Sequence, residues 1–167
     1  MKENSYIETK DYFENLVEQS NFINEFVAFS EREWAAKKAQ VGGIKAPVLA
    51  LFRYELGFEG NDHNTIAVRK LGFAIMFNKI PAGDFQAQYN AIYEAEKLAI
   101  KMLSRIMIDS CNPNHFLYNS FMKETVEIKP VELSSSDFGV DVLFSLKNKQ
   151  ILKVDTNDWK DLDQICR

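Results

Sequence analysis

Apolar residues recur at helical spacing over the first quarter of the chain. Between 9 and 40 the pattern predicts an N-terminal helical region with Thr9 as its N-cap, interrupted or bent at 20–21. The two glycines at 42–43 end this region, because glycine stops helices and permits tight turns.

A period of two follows and predicts two strands. Residues 48–58 place six side chains on one predicted core face: Val48, Ala50, Phe52, Tyr54, Leu56 and Phe58. The polar loop 59–64 then leads to a second strand, 66–79, with alternating apolar residues. Two such strands around a short polar loop predict a long antiparallel hairpin.

Helical spacing returns from Phe85 to Asp109, with Asp84 as a good N-cap. One apolar stripe is predicted to face the sheet: Tyr89, Ile92, Ala95, Ala99, Met102, Leu103 and Ile106. Strands 126–133 and 138–147 follow, and Pro130 places the first of them at a sheet edge or at a bulge.

These elements predict a single α+β domain over 1–167. We expect a mostly antiparallel four-stranded sheet, with the N-terminal helix and the long central helix packed on one face. The ends, 1–8 and 160–167, are expected to be flexible.

Composition narrows the class of protein. Hydrophobic residues make up 46% of the chain and aromatic residues 13%, which is enough for a real core. The net charge is -4 and the basic residues are scattered, so no nucleic-acid patch is expected. Two cysteines without a C-x-x-C pair indicate free thiols, and no signal-like or membrane-spanning apolar run is present. We expect a soluble intracellular protein.

The tripeptide Asp137-Phe138-Gly139 matches the magnesium-holding motif of protein kinases. That chemistry also needs a glycine-rich loop, a strand lysine and an H-R-D loop, and the chain has neither H-R-D nor G-x-G-x-x-G. We therefore interpret 134–139 as a polar turn, with Phe138 as the first inward residue of a strand.

Other catalytic patterns are weak. His63 and His115 are too few for a zinc site, and Cys111 lies four residues before His115 without a second such pair. The segment at 41–45, "VGGIK", lacks the spacing of a phosphate loop. We predict no enzyme, no cofactor and no metal. An unrecognised active site would require two of these residues, or nearby carboxylates, to converge in space.

The sequence offers more apolar surface than a two-layer domain needs. We expect the hairpin 48–78 and the exposed sheet face to meet a neighbouring subunit, with the loop 59–65 touching a partner. Seven residues are candidates for this contact: Leu49, Leu51, Arg53, His63, Ala74, Met76 and Leu143. The alternative is that a second layer of the same chain, the N-terminal helix, covers the apolar members.

Three segments carry a resemblance in their order: "APVLALFRYEL", "AGDFQAQYNAIYEAEKLAIKMLSRIMIDS" and "FGVDVLFSL" with the later "DTNDW". In this order of elements the chain resembles phage tail terminator or tail-completion proteins of the head–tail junction. The resemblance implies a homo-oligomeric ring, with a hexamer as the implied number, that caps the tail tube and joins it to the head connector. It implies passage of DNA without specific binding, no catalysis, and a place in the virion after assembly in the bacterial cytoplasm.

A second hypothesis stays open. The chain would be a small ligand-binding or regulatory module of the bacterial cytoplasm, with a pocket between the helix 84–109 and the sheet.

Overall fold

The computed structural model describes residues 5–28, 31–61, 64–150, 152 and 156–160. It contains three α-helices, five strands and a short 3-10 turn. Their bounds are α1 Tyr6–Gln19, β1 Glu25–Val27, α2 Glu31–Ala39, β2 Val48–Asn61, β3 Asn64–Phe77, α3 Phe85–Cys111, β4 Phe121–Ser134, β5 Asp137–Lys149 and the 3-10 turn Thr156–Asp158. The α+β class predicted from the sequence is confirmed.

The sheet has five strands rather than four. Their order is β1-β2-β3-β5-β4, with β1 parallel to β2 and every other pair antiparallel. The additional strand β1 lies inside the predicted N-terminal helical region. Ile23, Phe26 and Val27 fit helical spacing, so the period alone could not reveal a three-residue strand there.

Helix α1 begins earlier than predicted. Ser5 is its N-cap and forms a capping box with Glu8, whose backbone N–H donates to Ser5 Oγ at 3.1 Å. Thr9 is therefore inside the helix and not its cap, and residues 5–8 are ordered in its first turn. Residues 1–4 and 161–167 of the predicted flexible ends lie outside the described residues.

Helix α3 agrees closely with its prediction. Asp84 caps it, since the Ala87 N–H donates to Asp84 Oδ1 at 2.9 Å, and the helix continues two residues beyond Asp109. The buried face of α3 packs on the sheet and includes Ala91, Ala95, Leu98, Ala99, Met102 and Ile106. Tyr89, which the sequence placed in this stripe, is exposed.

A β-bulge at Phe52 changes which residues of β2 point to which face of the sheet. The register steps from Leu51 opposite Phe73 to Arg53 opposite Gly72, so Phe52 is the extra residue. Before the bulge Leu49 and Leu51 enter the main core; after it, Tyr54 packs on the same core. The uninterrupted alternation predicted over 48–58 is therefore wrong.

Helices cover both faces of the sheet. Helices α1 and α3 lie on the first face, over the main core around Phe13, Phe73 and Phe144. Helix α2 lies on the second face, where its Trp34 packs on a small cluster of Val27, Ile44 and Val48. The prediction of helices on one face is corrected by α2.

Candidate functional site

Four of the seven predicted interface residues are buried, and two of the four lie in the main core. Leu49 and Leu51 are buried in the main core beneath the first-face helices. The bulge at Phe52 is the physical reason, because it turns these two side chains toward the face that the sequence had assigned to their neighbours.

Ala74 and Met76 are buried on the second face. Met76 lies opposite Val48 in the sheet, and Val48 belongs to the cluster that Trp34 of α2 covers. This outcome matches the alternative in which a second layer of the same chain covers these residues, and the layer is α2.

The remaining predicted interface residues differ in accessibility. Leu143 is half-buried beside Phe52, and both side chains lie over Gly72, where an added Cβ would be 2.9 Å from Leu143 and 2.8 Å from the Phe52 ring. Arg53 donates to Glu55 at 2.9 Å, and this hydrogen bond raises the pKa of Arg53. His63 lies outside the described residues.

The far end of the β2–β3 hairpin leaves apolar side chains exposed. We call residues 55–60 and 64–70 the distal hairpin. Leu56 and Phe58 are 46% and 50% exposed there, on the face that carries the main core further along the sheet. Tyr6 of α1, also half exposed, makes an edge-to-face contact with Tyr54 at the border of this surface.

The distal hairpin also has an open backbone edge. Strand β1 pairs only with residues 48–50 of β2, so no described strand lies beside β2 between Glu55 and Gly60 on the side away from β3. Unpaired backbone N–H and C=O groups on such an edge are available to a partner.

The opposite edge of the sheet is protected. Strand β4 contains Pro130, and its register with β5 shifts twice, between Met122 and Glu127 and between Glu132 and Ser134. Prolines, bulges and charged residues such as Lys129 hinder pairing with another strand. The two edges of the sheet are therefore unequal.

A polar cluster joins α1 to the end of α3. Asp109 is buried; it accepts from Tyr12 Oη at 2.8 Å and from Arg105 Nε at 3.0 Å. Burial, together with the hydrogen bond to Asp109, raises the pKa of the Tyr12 phenol. The His115 ring contacts the Tyr12 ring edge-to-face at 5.4 Å.

The histidine of this cluster is held as a neutral acceptor. His115 Nδ1 accepts the Leu117 N–H at 3.2 Å, and burial lowers the pKa of His115. Asp109 favours its charged form and Arg105 disfavours it. Because the pKa of His115 is lower in the folded protein than in the unfolded chain, where it is about 6.5, folding favours the neutral imidazole. The free energy of unfolding is therefore highest above pH 6.5 and decreases as the pH falls through the pKa of the folded state.

We therefore expect His115 to titrate below pH 6.5 and the protein to lose stability on acidification in that range. An NMR titration of the imidazole C–H resonances measures the midpoint, and His115→Asn identifies the signal and removes the acid-dependent step from the unfolding curve. A midpoint at or above 6.5 would contradict the hydrogen-bonded geometry.

The requirements for an active site are met only in part. His115 and Asp109 lie near each other, but Asp109 is engaged by Tyr12 and Arg105 and the cluster holds helices together. Among the described residues, no group of three or more His, Cys, Asp or Glu side chains is placed to hold a metal ion.

The tripeptide at the start of β5 has a structural arrangement. The Asp137 carboxylate is almost fully buried and accepts from Lys38 Nζ of α2 and from Ser134 Oγ at 2.8 Å. Phe138 is buried as predicted, and Gly139 lies against the backbone of Ile75. These three residues join α2, the β4–β5 turn and β3.

Where α1, the end of α3 and the sheet meet, the side chains are closely packed. The gap bounded by Phe13, Ile106 and Phe144 leaves no room for a water molecule. An open cleft of about 490 Å³, lined by both polar and apolar groups, lies between the loop 113–120 and the end of β5, 147–149.

None of the described helices is both long enough and apolar enough to cross a bilayer. No family model matches the chain, and no curated protein or solved structure matches it at a significant level. The geometry of the distal hairpin, the polar cluster and the cleft is thus the basis for any functional proposal.

Proposed function

We propose that the protein is a structural assembly protein of a phage or prophage tail or head–tail junction. It acts as a homo-oligomeric ring that terminates or completes the tail, without catalysis. The observation that carries this proposal is the distal hairpin, where Leu56 and Phe58 are half exposed beside an open strand edge.

Two physical features favour assembly at this surface. Apolar side chains beside an unpaired edge gain free energy when a neighbour removes both from water. On the first face the distal hairpin carries one charged side chain, Arg69, which is buried and donates to Tyr54 and Asn148. Glu55 and Glu59 belong to the second face, where they form ion pairs. A partner therefore meets apolar surface there without having to desolvate a charge.

We expect Phe58→Glu to weaken self-association at least tenfold. Full burial of a phenylalanine side chain contributes about 1.5–3 kcal/mol, and about 1.4 kcal/mol corresponds to a factor of ten. Light scattering after size-exclusion chromatography over a concentration series measures the change, and negative-stain microscopy shows whether rings form alone or on tail-tube protein.

Val41→Glu is the matched control, because Val41 is fully exposed in the turn after α2. It should assemble like the unmodified chain. A chain that stays monomeric at high concentration, and forms no ring beside tail-tube protein, would overturn the proposed function.

The cleft beside the loop 113–120 favours a second candidate, a small ligand-binding module. His115, Lys149 and several amide side chains line it. A saturable thermal shift with a single class of metabolite, abolished by filling the cleft from its exposed rim with Asn114→Trp, would support this candidate over the assembly role.

A further inference from the structure

Helix α3 carries a second apolar stripe on its solvent side. We call Phe85, Tyr89, Tyr93, Ile100 and Met107 the outer stripe, and each of the five is between 47% and 65% exposed. From Tyr89 onward its members are spaced by four and seven residues, with the exposed Glu96 and Leu103, which packs against the main core, at the intervening positions of the repeat. This repeat is typical of a helix face that contacts another protein element.

The outer stripe is turned away from α1. Two residues mark the side of α3 that faces α1: Lys101 contacts the Phe22 ring, and Arg105 contacts Gln19 of α1. Successive residues of an α-helix are about 100° apart, so Lys101 and Arg105 lie roughly 100° and 140° around the helix from Ile100. Helix α1 contacts β1 and β2, whereas α3 contacts β3, β4 and β5. The outer stripe therefore lies on the β4 side of the sheet, opposite the open edge of β2.

The area of the outer stripe is large for an uncovered surface. Three half-exposed aromatic rings with Ile100 and Met107 present on the order of 500 Å², given 150–250 Å² for a whole aromatic side chain. A standard interface buries about 800 Å² on each partner. The outer stripe supplies a little over half of that area, so a stable junction on it also includes neighbouring surface of α3.

The outer stripe offers hydrogen-bond acceptors and apolar side chains, and the distal hairpin offers unpaired N–H donors and apolar side chains. Two charges adjoin the stripe: Glu96 lies between Tyr93 and Ile100, and the Lys97 ammonium lies 5.1 Å from the centre of the Tyr93 ring. Neither the Glu96 carboxylate nor the Tyr89 hydroxyl has a hydrogen bond among the described residues. A carboxylate and tyrosine hydroxyls on an apolar surface are suitable acceptors for the unpaired N–H groups of a strand edge. The distal hairpin supplies the complementary apolar side chains, Leu56 and Phe58.

We propose that the outer stripe of one copy receives the distal hairpin of the next copy. This contact is head-to-tail, because it joins two different surfaces on opposite sides of the sheet, and repetition of such a contact closes a ring when the rotation allows it. The inference rests on the proposed homo-oligomeric function and names the two surfaces that form the junction.

Mixing two defective variants tests this pairing. Leu56→Glu/Phe58→Glu damages the hairpin and leaves the stripe intact; Tyr89→Glu/Tyr93→Glu does the reverse. Each variant alone should stay monomeric, since a closed chain of contacts needs both surfaces. Mixed in equal amounts, they should form a one-to-one heterodimer and nothing larger, which light scattering and mass photometry detect.

All four side chains are half exposed, so both variants should fold, and circular dichroism melting confirms this before mixing. If either variant forms homodimers alone, or if the mixture stays monomeric while the unmodified chain assembles, the head-to-tail pairing is wrong. In these cases the proposed function survives with a different interface. Absence of any assembly by the unmodified chain, even on tail-tube protein, overturns both.

Discussion

Gly139→Ala should destabilise the protein by about 3 kcal/mol or more, the largest single effect we expect. A Cβ at this position would lie 1.9 Å from the carbonyl oxygen of Ile75 and 3.0 Å from Met76 Cα. Both obstacles are backbone atoms of β3, the central strand, so no side-chain rotation relieves the clash. The β3–β5 pairing must open to accept a single methyl group.

Thermal unfolding followed by circular dichroism measures this effect. For a chain of this size a loss of about 3 kcal/mol lowers the melting temperature by roughly 6–12 °C. Gly83→Ala is the matched control, because nothing lies within 4 Å of its added Cβ. Equal melting temperatures for Gly139→Ala and Gly83→Ala would show that β5 does not approach β3 as described.

Lys38→Met should cost about 2–4 kcal/mol by leaving a buried carboxylate without its cation. The Asp137 side chain is 1% exposed and Lys38 reaches it from α2, so the remaining hydroxyl donors around it cannot replace the lost positive charge. Methionine keeps most of the apolar stem of lysine, which separates the loss of charge from the loss of packing.

A double-mutant cycle isolates this pair. Asp137→Asn removes the stranded charge, so Lys38→Met/Asp137→Asn should be less destabilised than the sum of the two single variants by about 1 kcal/mol or more. Lys97→Met provides the surface control; its Glu94 partner is half exposed, and its loss should cost under about 0.5 kcal/mol. Additive single effects in urea unfolding would show that Lys38 and Asp137 do not interact.

Local signals were sufficient for the elements whose structure depends on neighbours in sequence. Asp84 and the apolar repeat through Ala95 and Met102 defined α3 to within two residues, because capping and helical spacing are properties of one segment. The β2–β3 hairpin was predicted for the same reason, since its two strands are joined by a short polar loop.

Features that depend on distant residues were missed. The bulge at Phe52 places its ring over Gly72, which has no side chain to occupy that space, and alternation within β2 carries no sign of this contact. Strand β1 exists because residues 25–27 pair with 48–50 across the intervening α2. Its three residues are too few to show a period.

The candidate surfaces were partly visible in the sequence. Phe85, Tyr89 and Tyr93 are spaced four residues apart, which would have indicated a second apolar face on α3 if Tyr89 had not been assigned to the buried one. Leu56 and Phe58 lie on the main-core face, as the alternation predicted, but they are exposed at the far end of the hairpin, and the alternation of one strand carries no sign of where that cover ends. The polar cluster of Tyr12 and Asp109 could not be foreseen, since those residues are remote in the chain.

The central position of β3 has a consequence for biosynthesis. Phe73 and Ile75 of this strand become fully buried only when α3 and β5 have been made. At about 5–20 residues per second, the ribosome needs several seconds to pass from the end of β3 to the end of β5. During that interval the nascent hairpin exposes a long apolar strand, so the yield of soluble protein should depend on chaperones that bind exposed apolar segments.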